Sequence, residues 1–259
     1  MQIELDSRKT VEQNAADYYE NSKKFKKKLE GLKKAISETE KLLKKAELKE
    51  AEKKAVKKIT LKKEWFERFH WMIINGYLVI GGRDAKTNEF LVKKHMEKED
   101  LFFHADVHGA SVIIAKKGQE LDESELELVA QFAGCFTSAW KAGRGTINVY
   151  SVLPEQVKTA AKSGEYLAKG SFVITGERKY YKNVELKLGI AFEEDKLLIK
   201  PVELIKGKKV VIKPDIKKSK GESSKLVLKK LKEIYPDKSI DVNWVQDLLP
   251  NGGSRITQS

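Results

Sequence analysis

The chain has 259 residues, of which 41% are hydrophobic and 34% are charged, so it is long enough to bury the core of one or two domains. Its one cysteine, Cys135, excludes an internal disulfide framework and a zinc site built from cysteines. No run approaches the roughly 18 apolar residues of a membrane span, and no signal-peptide core is present at the N-terminus. We therefore expect a cytoplasmic protein with no membrane partner.

The net charge of +13 is unevenly distributed along the chain. Residues 8–63 hold 19 Lys and Arg against 9 Asp and Glu, residues 205–232 hold 11 Lys against 2 acids, and residues 64–204 hold 19 against 21. Basic surfaces attract polyanions by releasing their counterions, which favours nucleic acid as a partner over a merely solvated surface. We divide the chain into a basic arm at 1–63, a core at 64–204 and a Lys-rich extension at 205–259.

A long helix is predicted from about Thr10, capped by Asp6 or Ser7, to the mid-forties or beyond. Apolar residues recur along it at spacings of three, four and seven, namely Ala15, Tyr18, Tyr19, Phe25, Leu29, Leu32, Ile36, Leu42 and Leu43. Such a stripe needs a partner surface, so we expect a coiled-coil arm that pairs with another chain or with a return helix at about Leu48 to Ile59. Because no Gly or Pro marks a turn, one projecting helix is the alternative.

From Trp65 the composition changes to aromatic and β-branched residues, which predicts a sheet. Asn75-Gly76 is a hairpin signal, followed by a strand at Tyr77 to Ile80. The Gly81-Gly82-Arg83 loop that follows exposes Arg83, either as a plain turn or for close approach to phosphate. An amphipathic helix is predicted near Thr87 to His95.

The second half of the chain alternates strands and helices, which predicts a mixed α/β (α+β) fold. The predicted elements are a helix from Asp122 or Ser124 to about Ala142, strands at Thr146 to Val152, Ser171 to Thr175, Val184 to Phe192, Lys196 to Leu204 and Lys209 to Lys213, a linker at Pro214 to Ser224, and helices at Ser224 to Tyr235 and Ile240 to Leu249. Gly143-Arg144-Gly145 places Arg144 in a flexible loop, and Lys162 lies in a polar, basic loop.

Asp100 to Ile114, DLFFHADVHGASVII, is the stretch richest in chemistry. His104, Asp106 and His108 alternate, so in an extended segment all three leave one face. They could bind a divalent metal, hydrogen-bond backbone at a strand end, or contact a phosphate backbone. A metal-dependent nuclease or base-modifying lyase would use the same three residues. Because no second cluster supplies a nucleophile or a metal shell, we expect a binding protein rather than an enzyme.

Four segments together resemble the NFACT family of ribosome quality-control factors in its archaeal and eukaryotic form. They are EWFERFHWMIINGYLVIGGRDAKTNEFLVKKHM, DLFFHADVHGASVII, TSAW and VYSVLPEQVKTAAKSGEYLAKGSFVITGERKYY. They are similar to the family's NFACT-R domain, proposed to bind RNA. NAADYYENSKKFKKKLEGLKKAI resembles the family's coiled-coil arm, and LLPNGGSRI resembles an archaeal C-terminus. The resemblance implies the C-terminal half of such a protein, without the N-terminal domain to which tailing is linked.

The resemblance also implies partners, namely stalled large ribosomal subunits and tRNA or rRNA, and a role in template-free, alanine-type extension of the nascent chain. Bacterial members carry lysine at the position of Asp106, which argues against an obligatory metal triad. We expect no catalytic residue, cofactor or metal. The expected RNA-contacting residues are Arg83, His104, Asp106, His108, Ser111, Arg144 and Lys162. The arm would add affinity and self-association, or instead serve as a protein-binding scaffold through Tyr18, Tyr19 and Phe25.

Overall fold

A computed structural model describes residues 4–55, 64–158, 170–193 and 195–257, with the backbone alone for 41–55. The chain divides into two compact units, Met1–Leu61 and Lys62–Ser259. The helices are α1 (Val11–Ala55), α2 (Ala85–His95), α3 (Glu123–Cys135), α4 (Ser138–Lys141), α5 (Lys220–Ile234) and α6 (Val242–Leu248). None of the helices described has both the length and the apolar character needed to cross a membrane.

Twelve strands are described, and all of their pairings are antiparallel. They are β1 (His70–Ile74), β2 (Tyr77–Gly81), β3 (Leu101–Ala105), β4 (Ile113–Ala115), β5 (Thr146–Val152), β6 (Val157–Lys158), β7 (Val173–Ile174), β8 (Lys179–Glu185), β9 (Leu188–Glu193), β10 (Lys196–Lys200), β11 (Val210–Pro214) and β12 (Ser254–Thr257). They form a six-stranded sheet in the order β1-β2-β4-β3-β5-β8, a four-stranded sheet in the order β10-β9-β11-β12, and the pair β6-β7.

In the described part of the first unit there is one helix, α1, which is 45 residues long. Its cap is Thr10 rather than the predicted Asp6 or Ser7. Thr10 Oγ1 accepts from the backbone N–H of Gln13 at 3.3 Å, and Gln13 Oε1 accepts from the N–H of Thr10 at 3.0 Å. Asp6 instead accepts hydrogen bonds from Arg8. The sequence signal for this cap is therefore the Thr-x-x-Gln pair.

The apolar stripe of α1 lies open to solvent in the structure. Phe25 and Leu32 are both 63% exposed, and Tyr18, Tyr19, Leu29 and Ile36 are exposed as well. Because α1 runs without a break to Ala55, a return helix that begins at about Leu48 is wrong. Residues 56–63 and the side chains of Leu42 and Leu43 lie outside the described part. A coiled coil therefore stays a prediction.

The six-stranded sheet separates two hydrophobic cores, because successive strand residues point to opposite faces. Phe103 on β3 packs with α3, α4 and the second sheet, and its neighbour Phe102 packs with α2 and the β6-β7 pair. Both side chains are essentially fully buried. The apolar runs that bracket the polar stretch are thus buried on both faces of the sheet, and the sheet holds their polar junction in place.

Local signals produce the turns and caps of this unit. Asn75 and Gly76 both have positive φ, 45° and 86°, which the tight turn between β1 and β2 requires. Asp84 caps α2 and Asp122 caps α3, each in a capping box. The predicted hairpin, the predicted helix near Thr87 to His95 and the predicted start of the next helix are confirmed.

Asp100 fixes the start of β3 from inside the protein, where it is fully buried. Its carboxylate accepts from the backbone N–H of Glu97 at 2.7 Å, from Lys116 Nζ at 2.7 Å and from the N–H of Lys117 at 2.9 Å. A buried carboxylate is stable only with such a full set of donors. Asp100 therefore ties the loop before β3 to the residues that follow β4.

The helix predicted to reach Ala142 is interrupted instead. Phe136 leaves the helical conformation with φ −94° and ψ 55°, and its carbonyl accepts from the backbone N–H of Ser111 at 3.0 Å. Thr137 then caps α4 by accepting from the N–H of Ala139 at 3.2 Å. A tertiary hydrogen bond thus replaces a helical one, which periodicity alone does not predict.

The predicted strand at Val184 to Phe192 is also wrong as one element. It spans the end of β8 and most of β9, which belong to different sheets. Between them the buried Leu186 donates its backbone N–H to the carbonyl of Gly145 at 2.9 Å. The apolar run is therefore continuous in sequence but changes sheet at Leu186.

Residues of the Lys-rich extension complete the second sheet through β11 and β12, with α5 and α6 packed beside it. Helix α5 begins at Lys220, inside the predicted linker, because Ser219 and Glu222 form a capping box. Strand β12 was not predicted. It follows Gly253, whose carbonyl accepts from Trp140 Nε1 at 3.1 Å, while Ser254 Oγ accepts at 3.2 Å. This buried indole joins the extension to α4.

Candidate functional site

A cleft of about 920 Å³ opens where β3 and β5 meet the loop after β2, the segment between β3 and β4, and residues 170–174. The first residue of α5 and the turn before β12 complete its wall. The volume lies at the upper end of the roughly 300–1,000 Å³ typical of small-ligand sites. Strands of the six-stranded sheet and segments that flank the four-stranded sheet therefore contribute to one concave surface.

One side of the lining is basic: we call Arg83, Lys220 and Lys141 the cationic wall, and His70 lies in the lining beside them. Arg83 is half-buried: Nη1 donates to the carbonyl of Asp247 at 3.1 Å and Nη2 to the carbonyl of Phe69 at 3.3 Å. Its Nε is buried and has no hydrogen-bond partner among the described residues. The guanidinium thus links α6 to Phe69, the residue before β1, and leaves its buried Nε–H without a partner among the described residues.

The cations of this wall disfavour one another's charge. Burial, and then the proximity of Arg83, lowers the pKa of Lys220, while Asp247 opposes that shift. Burial, Arg83 and Lys220 together hold the pKa of His70 well below its ordinary value. The one acid in the lining, Asp84, already accepts the backbone N–H of Thr87 as the cap of α2. An anion in the cleft would relieve this repulsion.

Four of the rings that line the cleft contact one another, namely Phe102, His104, Tyr150 and Phe172, and we call them the aromatic wall. The His104 ring lies 6.3 Å from that of Phe102, at 14° between planes, and 5.9 Å from that of its cross-strand partner Tyr150. Phe172 meets Phe102 edge-on at 6.0 Å. Phe102 and Tyr150 are buried, whereas His104 and Phe172 are partly exposed. Two accessible rings therefore rest on a buried aromatic layer.

His104 is disposed to act as a neutral ring. Burial lowers its pKa, while backbone hydrogen bonds and the nearby carboxylate of Asp106 act in the opposite direction. An uncharged imidazole presents a flat, aromatic face and one N–H donor. Near neutral pH the aromatic wall therefore carries little charge of its own.

The predicted row of His104, Asp106 and His108 on one strand face is wrong. Strand β3 ends at Ala105, and the chain then turns, with φ +75° at Gly109 and the carbonyl of His108 accepting from Ser138 Oγ at 2.6 Å. Only His104 is a strand residue. Across residues 4–40, 64–158, 170–193 and 195–257, no three His, Cys, Asp or Glu side chains are grouped to hold a metal ion. The triad needed by the metal-dependent enzyme is not formed.

Comparison with known proteins gives a family for this site. Residues 64–176 match the NFACT protein RNA binding domain. The archaeal Rqc2 homolog aRqcH of Methanocaldococcus jannaschii is 44% identical over 210 residues, which cover 78% of this chain and 31% of that protein. Human ribosome quality control complex subunit NEMF is 36% identical over 186 residues, covering 69% of this chain and 17% of that protein. The chain belongs to the NFACT family of RqcH/NEMF-like ribosome quality-control proteins.

The match confirms the resemblance carried by the four motifs, and the NFACT chain described here spans less than a third of each of these two relatives. A solved structure of the C-terminal part of the fibronectin/fibrinogen-binding protein from Streptococcus suis overlaps at a TM-score of 0.39 and 19% identity, covering 69% of this chain and 78% of that one. That overlap is too distant to add to the family assignment.

Four of the residues predicted from the NFACT sequence line the cleft together, namely Arg83, His104, His108 and Ser111. Arg83 is half-buried rather than exposed as predicted, since Phe69 and Asp247 accept its hydrogen bonds. Asp106 and Arg144 are exposed but are not part of the lining. Lys162 lies outside the described residues. The stretch Asp100 to Ile114 and the Gly-Gly-Arg loop therefore do meet, whereas the Gly-Arg-Gly loop does not line the cleft.

Sequence analysis missed most of the two walls. Lys220 belongs to the segment predicted as a linker, and Tyr150 and Phe172 were assigned only to strands. The place of Gly252 in the cleft was not predicted either: its φ is +121°, and a Cβ there would lie 2.6 Å from the Cα of Lys141. The Asn251-Gly252-Gly253 run is the one signal available, because consecutive glycines often mark close backbone approach.

Proposed function

We propose that this chain is an RNA-binding part of a ribosome quality-control factor that engages stalled large ribosomal subunits and tRNA or rRNA in the cytoplasm. It would thereby support template-free, alanine-type tailing of nascent chains. The observation that carries the proposal is the cleft. Arg83 and Lys141 of its cationic wall belong to residues 64–176, which match an RNA-binding domain. Three cations face a single acid that is already engaged as a helix cap.

The mechanism we propose is positional rather than covalent, so the chain acts as a binder and not as an enzyme. Arg83, His108 and Ser111 would donate to phosphate oxygens from the cleft, and His104 would meet the base. Asp106, exposed beside His104, would accept a hydrogen bond from a ribose 2′-hydroxyl. Such contacts fix the register of an RNA without reading its whole sequence.

Arg144 and Lys162 would widen the contact beyond the cleft. Arg144 is exposed in the loop after α4, close in sequence to Lys141 of the cationic wall. We propose that these side chains and the lysines of the arm supply affinity that is independent of sequence. In this division of labour the core at 64–204 recognises RNA, the extension at 205–259 contributes Lys220, and the arm at 1–63 adds charge and reach.

Salt dependence of binding tests this proposal. Titrations of tRNA and of purified large ribosomal subunits would compare the wild type with an arm variant in which Lys23, Lys24, Lys26, Lys27 and Lys28 become Gln, a core variant Lys141→Ala/Arg144→Ala, and the control Lys229→Ala. Each lost phosphate contact flattens the slope of log affinity against log salt by roughly 0.7–0.9. We expect flatter slopes for both test variants and an unchanged slope for the control. Absence of RNA binding at low salt would overturn the function, and unchanged slopes would overturn the residue assignment.

A second candidate function rests on the exposed stripe of α1. Tyr18, Phe25, Leu29, Leu32 and Ile36 follow the three- and four-residue spacing of a coiled-coil seam, and all five are exposed. We propose that this seam pairs two copies of the chain. Sedimentation that stays monomeric at high micromolar concentration would reject self-association and leave a different protein as the partner.

A further inference from the structure

The cationic and aromatic walls line the same cleft, and their chemistry matches the two halves of a nucleotide. A phosphate needs donors and positive charge, whereas a nucleobase needs a flat ring to stack on. RNA with unpaired bases offers both groups, while the bases of an A-form duplex are stacked inside the helix. The cleft therefore fits an unpaired nucleotide better than a duplex.

The aromatic wall is built for stacking rather than for core packing alone. His104 and Phe172 keep part of their surface open, and the buried Phe102 lies against both of them. Tyr150 supports His104 from the next strand, and the Arg178 guanidinium lies 4.6 Å from the centroid of the Tyr150 ring. Rings held from behind lose little conformational freedom when a base binds, which favours affinity.

The cationic wall supplies the matching group for phosphate. Lys220 is the first residue of α5, and its Nζ donates a long hydrogen bond of 3.4 Å to Asn251 Oδ1. Arg83 Nε is buried at this wall and, within the described part of the chain, makes no hydrogen bond. Asp84 caps α2, and the carboxylate of Asp247 acts on Arg83 and Lys220 from outside the lining. Because Lys141 adds a third cation to the cleft, positive charge remains available to a bound anion.

We propose that the cleft binds one unpaired RNA nucleotide, with its base stacked against His104 and Phe172 and its phosphate held by Lys220 and Arg83. This inference rests on the proposed function, because it names the form of RNA that the same site accepts. It separates two kinds of contact: base stacking inside the cleft, and phosphate contacts that a duplex can also make outside it.

The first experiment uses fluorescence anisotropy with the full chain and three probes: an eight-nucleotide single-stranded RNA, the same strand with abasic residues at its centre, and a blunt duplex. Two variants at one position form the matched pair. His104→Phe keeps a ring for stacking, whereas His104→Leu keeps apolar volume without one. Base stacking on an aromatic side chain is worth about 1–3 kcal/mol, so we expect His104→Leu to bind the single strand about tenfold more weakly and His104→Phe to bind it within about threefold of wild type. Neither substitution should change binding of the abasic strand or of the duplex.

The second pair tests the phosphate contact on one helix. Lys220→Ala and Lys225→Ala remove the same charge from α5, but Lys225 is exposed and does not line the cleft. We expect Lys220→Ala to weaken single-strand binding several-fold more than Lys225→Ala does. Thermal unfolding of every variant checks that the fold is intact, and the abasic probe with wild-type protein gives a result that needs no variant.

The outcomes separate the two proposals. Equal affinity of the wild type for the intact and abasic strands, or equal losses for His104→Phe and His104→Leu, would overturn the nucleotide cleft while leaving RNA binding intact. A single strand and a duplex that both fail to bind at low salt would overturn the proposed function itself. Selective loss with His104→Leu and Lys220→Ala supports the cleft.

Discussion

The two units of this chain treat apolar side chains in opposite ways. In the arm, Phe25 and Leu32 stand 63% exposed on a continuous helix, whereas in the second unit Phe103 and Trp140 are fully buried between sheet and helices. The second unit therefore completes its own packing, and the arm presents a seam that no described residue of its own unit covers. This difference indicates that the second unit can form its cleft before any ligand binds, whereas the arm needs a partner to bury its apolar side chains.

We expect the largest effect from removal of the Asp100 carboxylate, which should destabilise the second unit and leave the arm unchanged. Asp100→Ala leaves Lys116 without its buried partner and two backbone N–H groups without an acceptor, so we expect a loss of about 3–5 kcal/mol in the free energy of unfolding. Glu97→Ala is the matched control, because Glu97 bonds the same lysine from a side chain that is 69% exposed; we expect a change below about 1 kcal/mol. Urea denaturation measures both. Equal losses would mean that Asp100 is not an internal anchor.

Substitutions in the exposed seam of α1 test the same comparison in the arm. Leu29→Asp/Leu32→Asp places two charges on the exposed stripe of α1, so we expect self-association to weaken by tenfold or more. The core should keep its stability to within about 0.5 kcal/mol, as is usual for surface substitutions. Analytical ultracentrifugation and urea denaturation give the two values. A matched loss of core stability would show that the units are not independent.

Acid should destabilise the core and spare the arm, because all four histidines lie in the second unit. Burial and nearby cations lower the pKa of His70, so the unfolded chain binds a proton more readily than the folded one. The stability from a neutral His70 is therefore present above its ordinary pKa of 6.5 and is lost as the pH falls below that value. We expect the melting temperature to drop between pH 7 and pH 5, with a smaller drop for His70→Gln. A drop of the same size in that variant would assign the effect to other groups, such as His104.

The smallest effect concerns Cys135, which is fully buried and has its thiol pKa raised by that burial. We expect iodoacetamide at pH 8 to leave the folded chain unmodified for as long as the core stays closed, and to label it rapidly in urea. Intact-mass measurements over time follow the reaction. Rapid labelling without urea would mean that the core opens far more often than its packing implies.

Sequence reasoning succeeded where one short signal fixes a local structure. Asn75-Gly76 specified a turn, and Asp122, one of the two helix starts predicted, caps α3 in the structure. It failed where a distant partner decides. The alternation of His104, Asp106 and His108 predicted a strand, yet the N–H of Asp106 donates to the carbonyl of Asn148, and the chain turns beyond it.

The candidate site shows the same limit. Arg83 and the His104 segment were identified from residue type and motif, and the structure brings them into one cleft. Lys220 was not identified, because it comes close to Arg83 only once α5, which follows β11 far along the chain, has packed in place. The aromatic wall was missed for a related reason: Tyr150 faces His104 through strand register, which no local pattern states.

The hydrogen bond from Trp140 to the carbonyl of Gly253 spans 113 residues of chain. During translation the Trp140 indole is therefore synthesised long before its acceptor. Until β12 has been synthesised, one edge of β11 has no strand to pair with. Folding of this unit is consequently a late event of high contact order, and shortened products that stop before Gly253 would expose both an unpaired edge and an unsatisfied N–H. Stability of this unit therefore depends on the last residues of it to be synthesised.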